Sequence, residues 1–146
     1  MTLRRSPLKR RKFPRMMPPK EGAPISCPRH LQWVRGWECV ALGKTATAGP
    51  LAGQKHECWG GIEAHHVTTR GAGGGDDETA PVCRGLHSLL DSPGWSQPLV
   101  EKAYGIDFHA IAADLWKGSK PGREYRRAKE LEAQEAVPTR SLGPDR

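Results

Sequence analysis

The segment from Glu63 to Asp91 constrains this chain more than any other, because four of its side chains suit metal or acid–base chemistry. It opens with the paired histidines His65 and His66 and ends with His87 and Asp91. A glycine-rich run, which we interpret as a flexible crossing, separates the two ends. Such a run lets the chain reverse. The segment therefore predicts two ends that lie close together in space.

Two strands are predicted, one on each side of the crossing, and together they would form a hairpin. Residues 61–67 have the pattern of a short strand, in which neighbouring side chains point to opposite faces. His65 and His66 should therefore have different roles. Residues 79–82 predict a second strand, in which Pro81 must occupy an edge or a strand end.

A short helix is predicted after the hairpin, from Arg84 to Leu90. His87 and Asp91 share one face because residues four apart are neighbours on a helix. The predicted arrangement lets His65, His87 and Asp91 converge on one cation.

These motifs resemble the ββα-metal (His-Me finger) motif of HNH endonucleases. They are most similar to the small phage and prophage HNH proteins that include the recombination-enhancement (Ref-type) nucleases. The resemblance covers roughly residues 28 to 117. The matching motifs are Glu63-x-His65-His66, Gly74-Gly75-Asp76-Asp77, Thr79-Ala80-Pro81-Val82-Cys83-Arg84-x-x-His87, Leu31-x-Trp33-Val34-Arg35-x-x-x-Cys39 and Tyr104-Gly105-Ile106-Asp107.

The resemblance implies a role for each residue of the hairpin and helix. His65, His87 and Asp91 would be the metal ligands, and His66 the general base that activates water. Asp91 replaces the histidine of many such nucleases, and its carboxylate suits a hard cation such as Mg²⁺ or Mn²⁺, with Zn²⁺ as a further option. The asparagine of the motif has no direct counterpart, and Asp77 or Glu78 lies near its place.

The chemistry of phosphodiester hydrolysis matches these residue types. An imidazole titrates near neutral pH and suits a general base. A divalent ion supplies Lewis-acid stabilisation. Arg70 or Arg84 is a candidate for a phosphate contact. The predicted function is a metal-dependent DNA endonuclease.

The basic charge of the chain is concentrated at its N-terminus. The formal net charge is +7, but residues 1–20 hold eight basic and no acidic side chains, so the rest of the chain is near neutral. Such an arm suits a DNA phosphate backbone; the alternatives are a solvated tail or a nuclear-localisation signal. The predicted DNA-binding residues are Arg4, Arg5, Lys9, Arg10, Arg11, Lys12, Arg15 and Lys20.

The fold class predicted is α+β, with a small ββα-metal core and flanking short helices. We divide the chain into a disordered basic arm (1–23), an HNH nuclease domain (24–117), and a peripheral helix with a flexible tail (118–146). Helices are predicted over residues 28–36, 97–104, 108–116 and 124–136. No apolar stretch is long enough to span a membrane, and no secretory signal is present. The predicted location is the cytoplasm of a bacterial host.

The four cysteines are Cys27, Cys39, Cys58 and Cys83. An intracellular setting argues against disulfides. In many HNH relatives two C-x-x-C pairs bind a structural zinc, but Leu42 and Leu86 stand where second ligands would be, which favours buried free thiols. The alternative is a zinc site built from Cys39, Cys58, Cys83 and one of Cys27 or His56, since tetrahedral zinc accepts such mixtures.

Two other functions are alternatives to the nuclease. A non-catalytic zinc-containing DNA-binding module of the same fold would use the arm without cutting. A zinc deaminase is set aside because Glu63 precedes the histidines and Cys83-x-x-Leu86 breaks the required P-C-x-x-C. By analogy with Ref-type relatives, a recombinase filament or phage packaging proteins are candidate partners.

Overall fold

A two-stranded antiparallel sheet and five helices form the part of the chain that this computed structural model describes, residues 22–136. The elements are α1 Pro28–Val34, β1 Ile62–His66, β2 Thr79–Cys83, α2 Arg84–Leu90, α3 Gln97–Tyr104, α4 Phe108–Gly118 and α5 Lys120–Glu135. The predicted mixed α+β class is confirmed at this level. The predicted DNA-binding residues of the arm and the chain beyond Ala136 lie outside the described residues.

The strands β1 and β2 form a hairpin in which Ala64 pairs with Pro81. Pro81 lies in the middle of β2, and its carbonyl accepts the N–H of Val40 at 3.0 Å. The backbone polar groups of Pro81 therefore point away from β1, so its missing N–H removes no bond between the strands. Both strands of a two-stranded sheet are edges, which is where proline was predicted.

The glycine-rich crossing between the strands is closely packed at its end, whereas Gly71 and Gly73 at its start are exposed with open space around them. Gly74 and Gly75 are buried. A Cβ on Gly74 would lie 1.8 Å from the carbonyl oxygen of Thr68, and one on Gly75 would lie 2.8 Å from the backbone nitrogen of Ile25. Glycine is needed here because other backbone passes where a side chain would be.

The apolar core lies between the hairpin and the helices that follow it. Its largest fully buried apolar side chains are Phe108, Leu86, Val82 and Val100. Burial of these side chains against one another supplies the main favourable free energy of folding. The core fixes α2 and α4 against the hairpin. It therefore holds the histidines of β1 and α2 in place.

Two helix caps explain where the last helices begin. Asp107 caps α4, its Oδ1 accepting the N–H of Ala110 at 3.0 Å. Ser119 caps α5, its Oγ accepting the N–H of Gly122 at 2.9 Å, with Pro121 in the first turn. The helix predicted to begin at Glu124 therefore begins four residues earlier.

Among the helices between Gly22 and Ala136, none combines the length and apolar composition needed to cross a lipid bilayer.

Two candidate metal-binding sites at the hairpin

The last two residues of β1 contact different groups. Nε2 of His65 lies 3.1 Å from Oε1 of Gln97, and the His65 ring centroid lies 5.4 Å from that of His87. Nε2 of His66 lies 3.1 Å from Oδ1 of Asp76. The strand pattern predicted that the two histidines face different groups, and their contacts differ in this way.

The imidazole of His87, on α2, lies between two carboxylates. Its Nδ1 is hydrogen-bonded to the carboxylate of Glu63 in β1, and its Nε2 lies 3.9 Å from Oδ2 of Asp91, which follows the helix. The hydrogen bond with His87 lowers the pKa of Glu63, and the charge of Arg84 adds to this effect. Glu63 is thus an ionised partner that orients the His87 ring.

The predicted ligands are His65, His87 and Asp91, which with His66 we call the histidine site. The ring centroids of His65 and His87 are 5.4 Å apart and Nε2 of His87 lies 3.9 Å from Oδ2 of Asp91, but the donor atoms of the three residues are not gathered as closely as a metal-binding group requires. Their donor set of two imidazole nitrogens and one carboxylate matches a divalent cation. Burial, ahead of the neighbouring charges, lowers the pKa of His65 and favours the neutral form that binds metals. The side chain of Asp91 is 78% exposed, which leaves it room to turn towards the imidazoles.

His66 contacts a carboxylate that the sequence analysis did not select. Asp76 is 3% exposed; its Oδ2 accepts the backbone N–H of Cys27 at 2.7 Å and its Oδ1 accepts from Arg70 Nη2 at 2.9 Å. Burial raises the pKa of Asp76, but the hydrogen bonds from His66 and Cys27 and the charge of Arg70 outweigh it, and the net pKa is lowered. Asp76 is therefore a buried carboxylate anion.

Sequence position alone had suggested Asp77 or Glu78 in the place of the motif asparagine. The contact with His66 is made instead by Asp76, the first polar residue after the glycine run. The available signal was the place of Asp76 in the Gly74-Gly75-Asp76-Asp77 motif, directly after two glycines.

Two exposed arginines flank the histidine site. Nε of Arg70 lies 3.3 Å from Nε2 of His66, and Nη1 of Arg84 lies 3.8 Å from Oε1 of Glu63. Their side chains are 67% and 65% exposed. Both guanidinium groups are therefore accessible to an anion that approaches the histidines.

A second site is formed by four side chains whose ligand atoms all lie within 4.8 Å of one another, which we call the Cys₃His cluster. It is the only such group of three or more histidine, cysteine or acidic residues within residues 22–136. Nε2 of His56 lies 3.3 Å from Sγ of Cys83 and 3.9 Å from Sγ of Cys39. The members of the cluster are Cys39, His56, Cys58 and Cys83.

The ligands of the Cys₃His cluster come from three parts of the chain. Cys39 begins a turn closed by the N–H of Leu42 on its carbonyl, and the bridge between Thr45 and Lys55 returns the chain to His56. Cys83 ends β2 and caps α2, its Sγ accepting the N–H of Leu86 at 3.3 Å. The cluster therefore joins the long loop after α1 to the hairpin.

The thiols of the cluster differ in acidity. Partial burial and the neighbouring Cys39 raise the pKa of Cys58 to about 12. Burial also raises the pKa of Cys39. Burial opposes ionisation of Cys83 as well, but backbone hydrogen bonds from Leu86 and Trp59 lower its pKa. Without a cation Cys83 is therefore the thiol of the three that ionises most readily, and a metal would stabilise thiolates by binding their sulfur.

The prediction that favoured separate buried thiols is corrected by this geometry. All four cysteines are free, but three of them share a cluster with His56, and Cys58 is exposed. His56 and Cys27 were the two candidates for the fourth ligand. His56 belongs to the cluster, whereas Cys27 lies elsewhere and donates its backbone N–H to the carboxylate of Asp76. The four side chains can hold a metal ion such as zinc, because their thiol and imidazole donors are those that zinc prefers.

Comparison of the chain with protein-family models, with curated proteins and with solved structures found no significant match.

Proposed function

We propose that this protein is a metal-dependent DNA endonuclease with an HNH-type ββα-metal site. The observation that carries the proposal is the position of the paired histidines at the end of β1. His65 faces the His87 ring, 5.4 Å away, and His66 faces a buried carboxylate instead. One histidine is thus placed with candidate metal ligands while its neighbour is left for acid–base chemistry.

His65, His87 and Asp91 would hold the divalent cation, Mg²⁺ or Mn²⁺ by donor type. When bound, such a cation would stabilise charge on the scissile phosphate and on the leaving oxygen. Glu63 orients His87 by accepting from its Nδ1, which leaves Nε2 of His87 for the ion.

His66 would remove a proton from a water molecule, whose oxygen then attacks the phosphorus of the DNA backbone. The P–O bond to the leaving oxygen breaks, and that oxygen takes a proton from solvent. Arg70 and Arg84 are exposed beside the two histidine contacts and would bind the phosphate oxygens. The basic residues between Arg4 and Lys20 would add sequence-independent affinity for the DNA backbone.

The Cys₃His cluster is proposed to bind a structural zinc ion. Tetrahedral zinc with bonds of about 2.0–2.3 Å separates its ligand atoms by roughly 3.5–3.8 Å. The distances from His56 Nε2 to the sulfurs of Cys83 and Cys39, 3.3 and 3.9 Å, bracket that range. Four protein ligands leave no open position, as in zinc sites that stabilise a fold.

A plasmid-nicking assay with Mg²⁺ or Mn²⁺ tests the nuclease proposal. We expect the intact chain to cleave and His66→Ala to lose activity by a factor of about 10²–10⁴, the usual contribution of a general base. His109→Ala is the matched control, because His109 is exposed on α4 and makes no hydrogen bond or ring contact with the residues of the histidine site; its activity should equal that of the unaltered protein.

The second candidate is the zinc-containing DNA-binding module, which the Cys₃His cluster favours because it needs no catalytic cation. In that case neither the unaltered protein nor His66→Ala would cleave, and both would retard DNA in a gel-shift assay. Absence of cleavage with both ions, together with retained DNA binding, would replace the nuclease by this module.

A further inference from the structure

We propose that Trp59 and the groove beside it bind an unpaired base of a DNA strand, so that the substrate is single-stranded or locally opened DNA. This inference rests on the proposed function, because it names the form of DNA that would reach the histidine site. The base would stack on the indole ring, and the phosphates on either side of it would lie near Lys55 and Arg84.

Trp59 is the most exposed of the large apolar side chains between Gly22 and Ala136. It is 57% exposed, although tryptophan is on average a highly buried residue. Trp37 is the next most exposed tryptophan, at 50%, but its ring packs against that of Trp33 at a centroid distance of 5.3 Å. Trp59 has no aromatic ring against it within the described residues. Its exposed surface is therefore available to a flat aromatic group from outside the chain.

The indole of Trp59 is held in place from the side of α2. A Cβ on Gly85, in the first turn of α2, would lie 2.5 Å from Nε1 and 2.7 Å from Cδ1 of Trp59, so the indole lies directly against the glycine backbone. The N–H of Gly85 also donates to the carbonyl of Trp59 at 3.2 Å. The preceding residue, Cys58, belongs to the Cys₃His cluster. A ring that is fixed before binding loses little conformational entropy when a base stacks on it.

A groove of about 550 Å³ adjoins the indole. Leu89, one turn after Gly85, contributes apolar surface to it, and Lys55 contributes an ammonium group. Lys55 is exposed and forms no ion pair with residues 22–136. The lining holds one carboxylate, that of Glu57. An aromatic ring beside a cation in an open groove is the arrangement with which proteins hold unpaired nucleotides, because the ring stacks on the base and the cation attracts the phosphate.

Arg84 connects this groove with the histidine site. A Cβ on Gly60, the residue after Trp59, would lie 2.6 Å from Cβ of Arg84, so the stem of Arg84 packs against the chain beside the indole. Its Nη1 lies 3.8 Å from Oε1 of Glu63, whose carboxylate is hydrogen-bonded to His87. A phosphate bound by Arg84 would therefore lie between the two sites, with an adjacent base on the side of Trp59. The bases of a duplex are stacked inside it and present no free face, so the bound base must be unpaired.

Fluorescence anisotropy of three labelled DNAs with the full-length protein, without Mg²⁺ or Mn²⁺, tests the base site. The DNAs are a short oligothymidine, a strand of the same length without bases, and a duplex of the same length. We expect the unaltered protein to bind the oligothymidine roughly tenfold more tightly than the baseless strand, and Trp59→Ala to lose that factor on the oligothymidine alone. Trp59→Phe should retain most of it. Trp37→Ala, which also removes an exposed indole, is the matched control and should bind like the unaltered protein.

Equal affinity of the unaltered protein for the two single strands would overturn the inference, even if Trp59→Ala failed to fold. A loss in Trp59→Ala of the same size on all three DNAs would also overturn it, because the ring would then support the fold or a phosphate contact. No loss on any DNA would overturn it and leave the indole to a protein partner. A base-dependent loss in Trp59→Ala, in a protein that cleaves no DNA, would support the base site and reject the nuclease. Cleavage that is lost in His66→Ala but unchanged in Trp59→Ala on every DNA would support the nuclease and overturn the base site.

Discussion

The Cys₃His cluster and the histidine site lie at opposite ends of the same strands and differ in how their ligands are satisfied. In the cluster the donor atoms face one another, with His56 as a hydrogen-bond partner of both Cys39 and Cys83. In the histidine site each imidazole has a polar partner of another type, such as Gln97 for His65 and Asp76 for His66. The donor atoms of the cluster are close enough together to bind one ion. The imidazoles of the histidine site are instead oriented by hydrogen bonds to residues outside their predicted ligand set.

This difference matches the difference between structural and catalytic metal sites. A structural site uses four protein ligands and closes the coordination sphere, whereas a catalytic site keeps positions open and orients its ligands through outer hydrogen bonds. The cluster has the four ligands and the histidine site has the outer bonds. We therefore expect loss of the first ion to unfold the chain and loss of the second to leave the fold intact.

The largest effect is expected from Cys83→Ser, which removes a ligand held at the start of α2. The bound zinc should be lost, and the free energy of unfolding should fall on the order of 4 kcal/mol or more, as for other losses of a structural metal. Metal content by mass spectrometry and thermal unfolding measure the two quantities. Cys27→Ser is the matched control, because Cys27 is also buried but outside the cluster, and should retain the metal. Equal metal content in the two variants would contradict the zinc proposal.

Removal of residues 1–20 separates DNA binding from both metal sites. Each phosphate contact contributes about 0.9 to the slope of log K against log salt, so loss of the eight basic side chains should make that slope shallower by up to about 7. Metal content should not change, since Cys39 to Cys83 are retained. A chain of the same length with the eight residues replaced by serine is the control and should match the deletion. Unchanged affinity and slope would remove the arm from the DNA interface.

Asp91→Ala addresses the histidine site alone. Loss of an exposed ligand should weaken Mn²⁺ binding at least tenfold by calorimetry on the zinc-loaded protein, with stability within about 0.5 kcal/mol. Asp114→Ala removes another exposed carboxylate, from α4, and should leave Mn²⁺ affinity unchanged. A stability loss in Asp91→Ala as large as in Cys83→Ser would erase the distinction between the two sites.

The same contrast explains what could be predicted from the sequence. The bounds of α2 and α3 were predicted correctly, because each depends on neighbouring residues: proline in the first turn of α3 and glycine after it. The hairpin was also predicted, from a strand pattern on either side of a glycine run. Local signals of this kind are contained within a few residues.

The parts that were missed, as for Asp76, or only left open as an alternative, as for the Cys₃His cluster, depend on distant segments. The Cys₃His cluster requires the bridge between Thr45 and Lys55 to return His56 to Cys39, and the role of Asp76 requires Cys27, which is 49 residues away. Neither distance is encoded in a motif. The start of α5 was missed although its signal is local: Ser119 caps the helix and Pro121 lies in its first turn.

The smallest effect concerns His30, a histidine that belongs to neither site and so gives a reference for burial without a metal. It is fully buried, with Nδ1 2.9 Å from Oγ of Ser119 and Nε2 without a partner. Burial lowers its pKa from 6.5, with smaller opposed effects of Asp76 and Arg126. Below pH 6.5 the unfolded chain therefore binds a proton that the folded chain does not.

The free energy of unfolding should consequently decrease as pH falls below 6.5, by at most about 1.4 kcal/mol per pH unit from this one group. Above that pH the contribution is constant. His30→Phe removes both the titration and the unpaired nitrogen, so its stability should depend less on pH in this window. The exposed His109→Asn is the control and should follow the unaltered protein in chemical denaturation at each pH. If His30→Phe and His109→Asn gave the same slope, His30 would be protonated equally in both states, and its burial would not disfavour the charged ring.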